Sequence, residues 1–138
     1  MTTTRANLVF HHVGVASRDI DAEAAHFTTL GYAFEGERFE DPAQGVRGLF
    51  MVGPGPRMEL LDALSPASRG VLTPWLESGV KLYHLAYLVP ALQQAIDAMR
   101  ERRGKLVVGP MPAVAFASRD IAFVLLPNRL LIELIAAE

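Results

Sequence analysis

The amino-acid sequence predicts an α+β fold in which two tandem βαβββ modules each form a curved mixed sheet. Three observations carry this prediction. A β-α-β-β-β order of elements occurs twice along the chain. His12 in the first strand of one copy recurs as His84 in the first strand of the other. Glu59 in the last strand recurs as Glu133, at nearly the same offset. Landmarks that repeat at nearly one offset indicate duplicated modules.

The first module is predicted over about residues 8–62. Ser17 is placed as the N-cap of a helix because apolar residues follow it at helical spacing, and Gly31 is placed to end that helix. Pro and Gly residues separate the remaining segments as turns. The predicted strands are Leu8–Ala16, Tyr32–Phe39, Val46–Val52 and Arg57–Leu61.

The second module is predicted over about residues 80–136, after a linker at 63–79 with a short helix around Leu72 to Leu76. Pro90 is placed to open the module's helix, and Gly104 to end it, as Gly31 ends the helix of the first module. The predicted strands are Leu82–Val89, Lys105–Val108, Ile121–Leu126 and Leu130–Ile135. Because 138 residues suit one sizeable core, residues 1–138 are predicted to form a single domain.

Composition excludes several classes of protein. The net charge is −2 and no basic run exceeds Arg102–Arg103, so nucleic acid is not an expected partner. Charge, Gly or Pro interrupts every apolar stretch too early for a membrane span, and the first residues lack the apolar core of a secretory signal. The chain has no cysteine, which removes disulfides, thiolate ligands and a cysteine nucleophile. We therefore expect a cytoplasmic protein.

The repeated histidines and glutamates form a candidate metal site. Small residues, such as Gly14 beside His12 and Ala86 beside His84, leave room for a cavity on the strand faces. A carboxylate inside an apolar strand is costly unless it is paired or bound to a metal. Two imidazoles and two carboxylates suit Zn²⁺, Co²⁺, Mn²⁺, Ni²⁺ or Fe²⁺. Hence the predicted fold places its sheets around a metal cleft with the ligands His12, Glu59, His84 and Glu133.

Simpler interpretations exist for each residue taken alone. A single histidine in a strand is usually a satisfied core residue, and a single late-strand glutamate usually faces solvent. His11 competes with His12 as the ligand, although alternation along the strand places it on the opposite face. His26, on the first helix, is expected to be exposed or partly buried.

Five motifs in order resemble the vicinal oxygen chelate (glyoxalase/bleomycin-resistance/dioxygenase) superfamily, and within it the methylmalonyl-CoA epimerase-like branch. They cover nearly the whole chain. The motifs are FHHVGVASRDIDAEAAHFTTLGY, DPAQGVRGLFMVG, RMELLDALSP, KLYHLAYLV and LLIELIAAE.

The resemblance implies a glyoxalase-like fold, a homodimer and metal ligands at the four positions above. It also implies a metal-dependent epimerase or isomerase that moves a proton next to a carbonyl of a small acid or an acyl thioester such as an acyl-CoA. In that family the metal chelates two substrate oxygens and stabilises an enolate while protein groups move the proton. Glu133 or Glu59 would serve as both ligand and catalytic base, with Glu133 the first candidate, helped by Asp41 or Gln44.

The chain departs from the epimerases at two places. They usually carry a proton-transferring Glu immediately before Gln-Gly-Val, where this chain has Ala43, and Asp41 two residues earlier is the candidate replacement. The turn before the last strand is also shortened, to Leu126–Arg129. We therefore expect a substrate other than methylmalonyl-CoA.

Two alternative functions remain open. A glyoxalase-type lyase would use the same metal ligands. A metal-free protein that binds a small molecule and confers resistance would instead use aromatic and apolar side chains to line its pocket. The candidate lining residues are Phe50, Trp75, Tyr83, Phe116 and Phe123, although such aromatic side chains are more often ordinary core residues.

Overall fold

A computed structural model describes residues 7–65 and 72–137 of the chain. The strands are β1 Val9–Ala16, β2 Ala33–Asp41, β3 Val46–Val52, β4 Met58–Ala63, β5 Leu82–Val89, β6 Lys105–Ala113, β7 Arg119–Leu125 and β8 Leu131–Ala136. The helices are α1 Ile20–Thr29, α2 Thr73–Ser78 and α3 Leu92–Glu101, with one 3₁₀ turn at Val114–Phe116. The predicted order β-α-β-β-β is therefore confirmed in both halves.

Contacts divide the described chain into two compact units. One is His12–Tyr83, and the other comprises residues 84–137 together with residues 7–11. The division differs from the predicted module boundaries, because the first residues of β1 group with the second half. The extent of a single domain over residues 1–138 stays a prediction.

The sheet of the first module has the order β2-β3-β4-β1. β1 runs parallel to β4, whereas β2–β3 and β3–β4 are antiparallel pairs. The parallel pair requires a crossover between its strands, and the path through α1, β2 and β3 provides it. The predicted mixed sheet is confirmed here.

The start of α1 differs from the prediction. Asp19 is the N-cap, and its carboxylate accepts hydrogen bonds from the backbone N–H groups of Asp21 and Ala22. Ser17, the predicted cap, accepts from the N–H of Asp19 at 3.0 Å instead. Two nearby residues that can both cap explain the error, since a pattern cannot decide which one has extended backbone angles.

The sheet of the second module has the corresponding order β6-β7-β8-β5, again with one parallel pair, β5–β8. α3 packs on it through an apolar core. That core is formed by Val89, Ala95, Ile96, Ala122, Val124, Ile132 and Leu134. Pro90, predicted to open α3, lies one residue before its N-cap, which is Ala91 and makes no side-chain cap hydrogen bond.

β6 is longer than predicted, because it continues past Val108 to Ala113 through two irregularities in its pairing with β7. A bulge adds residues to one strand while pairing resumes beyond it, so Gly109 and Pro110 do not end the strand. The short linker helix is confirmed as α2. None of the helices in residues 7–65 and 72–137 has the length and apolarity needed to cross a membrane.

Candidate metal centre

His12 and Glu59 are brought together within the first unit. β1 and β4 pair in parallel with Gly14 opposite Glu59, and His12 lies two residues before Gly14 on the same face of β1. The Nε2 atom of His12 lies 3.1 Å from Oε1 of Glu59. His12 is 0% exposed and Glu59 is 4% exposed. The pair is a buried imidazole and carboxylate in direct contact.

His84 and Glu133 repeat this arrangement within the second unit. Ala86 of β5 lies opposite Glu133 of β8, and His84 lies two residues before Ala86. The distance from Nε2 of His84 to Oε1 of Glu133 is 3.2 Å, and both side chains are buried. Register, distance and burial therefore match those of the first pair.

An aromatic ring packs against each of these imidazoles. Phe50 lies opposite Glu59 in the β3–β4 pair, and its ring centroid is 5.3 Å from that of His12. Phe123 lies opposite Glu133 in the β7–β8 pair, and its centroid is 5.3 Å from that of His84. From the sequence, these phenylalanines are expected to be core residues or the lining of a small-molecule pocket. Their equivalence in the two modules could have been recognised from their spacing, which falls within the offset of the repeat.

His11 has a different environment. It is only partly buried, and its ring packs edge-on against Phe116 at a centroid distance of 5.6 Å. The alternation along β1 explains the difference, since adjacent side chains point to opposite faces of a strand. His12 thus lies on the face of β1 that meets Glu59, and His11 lies on the opposite face.

Asp41 and Gln44 contact each other across the turn between β2 and β3. The side-chain amide Nε2 of Gln44 donates to Oδ2 of Asp41 at 3.0 Å, and Asp41 is 2% exposed. Asp41 of β2 lies opposite Val46 of β3. Phe50, four residues further along β3, lies opposite Glu59 of β4. At about 3.3 Å per residue, Asp41 lies about 13 Å along the strand direction from the level of Glu59.

A cavity of about 530 Å³ lies elsewhere, beside α1. Exposed His26 lines it, but none of the four predicted metal ligands does. The residues around it are Ala16, Ser17, Arg18, Asp19, Ala22, Glu23, His26, Leu76, Gly79, Val80 and Lys81. Several of its charged groups are already engaged, as Lys81 bonds Glu23 and Asp19 caps α1. The candidate metal ligands therefore lie in the two His–Glu pairs and not at this cavity.

The donor set fits a divalent metal ion. Two imidazole nitrogens and two carboxylate oxygens are ligands of first-row transition metals and zinc. Each unit contributes one buried imidazole and one buried carboxylate of the kind that can ligate such an ion, His12 and Glu59 in one unit and His84 and Glu133 in the other. One buried His–Glu contact alone is an ordinary way to satisfy a core histidine. Two contacts in identical register are the pattern expected of a duplicated ligand pair.

Comparisons with known proteins agree with this fold. Residues 11–123 match the family profile described as Glyoxalase/Bleomycin resistance protein/Dioxygenase superfamily. An ethylmalonyl-CoA/methylmalonyl-CoA epimerase from Cereibacter sphaeroides is 28% identical over 116 residues, which cover 82% of this chain and 84% of the relative.

Two solved structures share the fold. The methylmalonyl-CoA epimerase from Mycobacterium tuberculosis superposes with a TM-score of 0.75 at 23% identity, covering 100% of this chain and 93% of that one. A methylmalonyl-CoA epimerase in complex with methylmalonyl-CoA and NH₄⁺ gives a TM-score of 0.70 at 21% identity, covering 94% of each chain. The glyoxalase-like fold expected from the sequence is therefore confirmed.

Proposed function

Because this chain belongs to the glyoxalase/bleomycin resistance protein/dioxygenase superfamily, we propose that it is a metal-dependent epimerase or isomerase. It moves a proton next to a carbonyl of a small acid or an acyl thioester. The observation that carries the proposal is the pair of buried His–Glu contacts in the same register of two modules. The similarity to methylmalonyl-CoA epimerases supports an enzyme of this class.

In this proposal His12, Glu59, His84 and Glu133 together hold one divalent ion. When bound, such an ion supplies positive charge that stabilises the negative charge developing on a carbonyl oxygen, which makes the neighbouring carbon more acidic. The strands contribute a dry surrounding for the four ligands, since each of these side chains belongs to a residue that is at most 4% exposed. Low exposure strengthens electrostatic interactions between the ligands and whatever they bind.

Glu133 is proposed as the group that accepts the proton. A carboxylate that is a ligand through one oxygen retains a second oxygen able to act as a base. Asp41, with Gln44 as its hydrogen-bond partner, is the proposed second proton-transfer group in place of the residue missing at Ala43. Both groups must reach the same carbon, and Asp41 lies about 13 Å along the strand from the level of Glu59, so this role requires the β2–β3 turn to move toward the metal site.

The substrate is proposed to be an acyl thioester or 2-oxo acid other than methylmalonyl-CoA. The class is supported by a fold neighbour that was solved with methylmalonyl-CoA. The exclusion is supported by Ala43, whose methyl group is neither an acid nor a base and so cannot transfer a proton. We further propose that the protein is a cytoplasmic homodimer. Sedimentation at micromolar concentration tests the dimer, and a mass near the 15.1 kDa of one chain would contradict it.

Metal analysis of two variants tests the ligand set. His84→Ala should abolish stoichiometric binding of Zn²⁺ or Co²⁺, because it removes one of four donors from a buried site. His11→Ala is the matched control and should bind metal like the wild-type protein. The reverse pattern would show that the strand-face assignment is wrong by one residue. A wild-type protein without metal affinity would favour the small-molecule binding function.

Solvent exchange tests the reaction. Incubation of the metal-loaded enzyme with methylmalonyl-CoA in deuterated water should give weak or no exchange at the α-carbon. A panel of other acyl thioesters and 2-oxo acids should include a substrate whose α-proton exchanges, and metal removal should stop that exchange. Efficient metal-dependent racemisation of methylmalonyl-CoA would refute the substrate proposal and implicate Asp41. Absence of exchange across the panel at full metal occupancy would refute the isomerase.

A further inference from the structure

We propose that Phe50 and Phe123 are positioning residues that orient the imidazoles of His12 and His84 and thereby set the affinity of the metal site. This inference rests on the proposed function, because it requires both histidines to be metal ligands. It assigns a role to two aromatic side chains that donate no ligand atom. The role follows from how each ring is placed relative to its histidine and glutamate.

Each phenylalanine stands directly across the strand pair from a glutamate. Phe50 on β3 pairs with Glu59, and Phe123 on β7 pairs with Glu133. Residues directly opposite each other in an antiparallel pair point to the same face, with Cβ atoms about 4.5–5.5 Å apart. Each phenylalanine ring therefore lies on the same sheet face as the carboxylate that it neighbours.

Each phenylalanine ring also contacts a histidine. The histidine lies on β1 or β5, the strand that pairs with the other edge of the glutamate's strand. The planes of Phe50 and His12 are inclined at 77°, and those of Phe123 and His84 at 79°. Edge-to-face packing is the favoured geometry for aromatic pairs. Two contacts with the same centroid distance and nearly the same angle, in two modules of different sequence, indicate a constraint common to both histidines.

The constraint acts on the rotation of the imidazole. The χ2 angle of histidine has a broad, roughly two-fold distribution, so its ring has no strong preference of its own. A ring packed edge-on against the imidazole removes most of that freedom and holds Nε2 toward the glutamate, at 3.1 Å in one module and 3.2 Å in the other. A ligand that is ordered before binding loses less entropy when the ion arrives.

The two phenylalanines differ in burial, which makes Phe50 the better residue to substitute. Phe123 is 3% exposed, whereas Phe50 is partly exposed and also packs on Phe39 at a centroid distance of 6.0 Å. Phe123→Leu therefore removes packing from a closed core and affects folding as well. Phe50→Leu removes the ring at a partly exposed position, and Phe50→Tyr retains the ring.

The experiment measures the dissociation constant of Zn²⁺ by competition with a chromophoric chelator, in the full-length protein. Phe50→Leu and Phe123→Leu should each weaken binding about 10- to 100-fold, the effect typical of residues that support metal ligands. Phe50→Tyr should bind Zn²⁺ with the affinity of the wild-type protein, because it retains the ring. Phe116→Leu is the matched control, because Phe116 makes the same kind of edge-on contact with His11, which is not a proposed ligand. Its affinity should match that of the wild-type protein.

The visible absorption spectrum of the Co²⁺-loaded protein gives a second readout. Phe50→Leu should change the ligand-field bands, because the orientation of one imidazole relaxes, whereas Phe116→Leu should leave them unchanged. If Phe123→Leu does not fold, the Phe50 variants carry the test. Wild-type affinity in Phe50→Leu, in a protein that binds Zn²⁺ stoichiometrically, would overturn this inference alone. Failure of the wild-type protein to bind Zn²⁺ or Co²⁺ would overturn the proposed metal site and this inference with it.

Discussion

The two modules hold their histidines and glutamates in the same way but attach their helices to the sheet in different ways. In the first module Asp62, three residues after Glu59, accepts a hydrogen bond from the N–H of Ile20 at 2.9 Å, at the start of α1. Arg47 binds the same carboxylate through Nε at 2.6 Å and Nη2 at 3.3 Å. In the second module the residue three places after Glu133 is Ala136, and α3 has no side-chain cap.

This difference shows which part of the duplicated architecture is constrained. Each helix buries two of its own residues, Ile20 and Ala24 in α1 and Ala95 and Ile96 in α3. The hydrogen bond from Ile20 to Asp62 is therefore a polar tether that α1 has in addition to its apolar contact. A helix can be attached with or without such a tether, but the His–Glu register is identical in both modules, as expected if it serves one shared function.

The largest effect should follow loss of the tether. Asp62→Ala leaves the N–H of Ile20 and the guanidinium of Arg47 without the buried carboxylate. We expect the free energy of unfolding to fall by about 2–3 kcal/mol, measured by urea denaturation. Arg47→Ala should cost less, about 0.5–1 kcal/mol, because its side chain is 45% exposed. Equal, small effects of both changes would mean that α1 is held by apolar contacts as α3 is.

The ends of the two helices should respond differently to the same substitution. Gly31 has a φ of +102°, whereas in the second module Arg103 has positive φ (68°) and Gly104 does not. A Cβ on Gly104 would lie 2.8 Å from the carbonyl oxygen of Met99 and 2.9 Å from Val124. Gly104→Ala should therefore destabilise by about 1–3 kcal/mol through overpacking.

Gly31→Ala should destabilise by about 1–2 kcal/mol through backbone strain alone, since its nearest neighbour is 3.6 Å away. Thermal unfolding of Gly31→Ala, Gly104→Ala and Arg103→Gly distinguishes backbone strain from overpacking. Arg103→Gly should be neutral or stabilising, because glycine adopts positive φ without strain. A loss of stability in Arg103→Gly would contradict this assignment of the left-handed position.

Adding a cap to the second module should make its helix more like that of the first. Ala91 has extended backbone angles, φ −137° and ψ 96°, which suit an N-cap residue. Ala91→Asp should stabilise the protein by about 0.5–1 kcal/mol, and Asp19→Ala in the first module should destabilise it by about 1 kcal/mol. Chemical denaturation of both variants measures the two effects, and opposite signs are required.

The smallest effect should be electrostatic and confined to the surface of the first module. A hydrogen bond from Arg38, the largest cause, holds the pKa of the exposed Asp21 carboxyl below its ordinary value. Because the folded pKa is lowered, the associated stability is present above pH 3.8 and is lost as pH falls through the folded value. Arg38→Gln should raise the Asp21 pKa in an NMR titration. High salt should do the same in the wild-type protein, because the charges are exposed.

Most of the fold and the candidate ligands were predictable from the sequence, for a definite reason. β3 and β5 were predicted with the observed bounds, because both are apolar runs bounded by polar or turn residues. The His and Glu positions were identified because a duplicated chain repeats its constraints at a nearly constant offset. The choice of Asp19 over Ser17 and of Arg103 over Gly104 was not predictable, since it depends on backbone angles that neighbouring residues could equally adopt.

The sequence alone determined the order of elements, the repeat and the four side chains proposed to bind metal, because periodicity and spacing are properties of the chain itself. Only the tertiary structure decided which residues support those side chains. Strand register set Phe50 and Phe123 opposite the two glutamates, and it brought Asp62 to the start of the helix that begins at Ile20. Such contacts join strands and helices that are distant in sequence, and local pattern carries no information about which distant residues will meet.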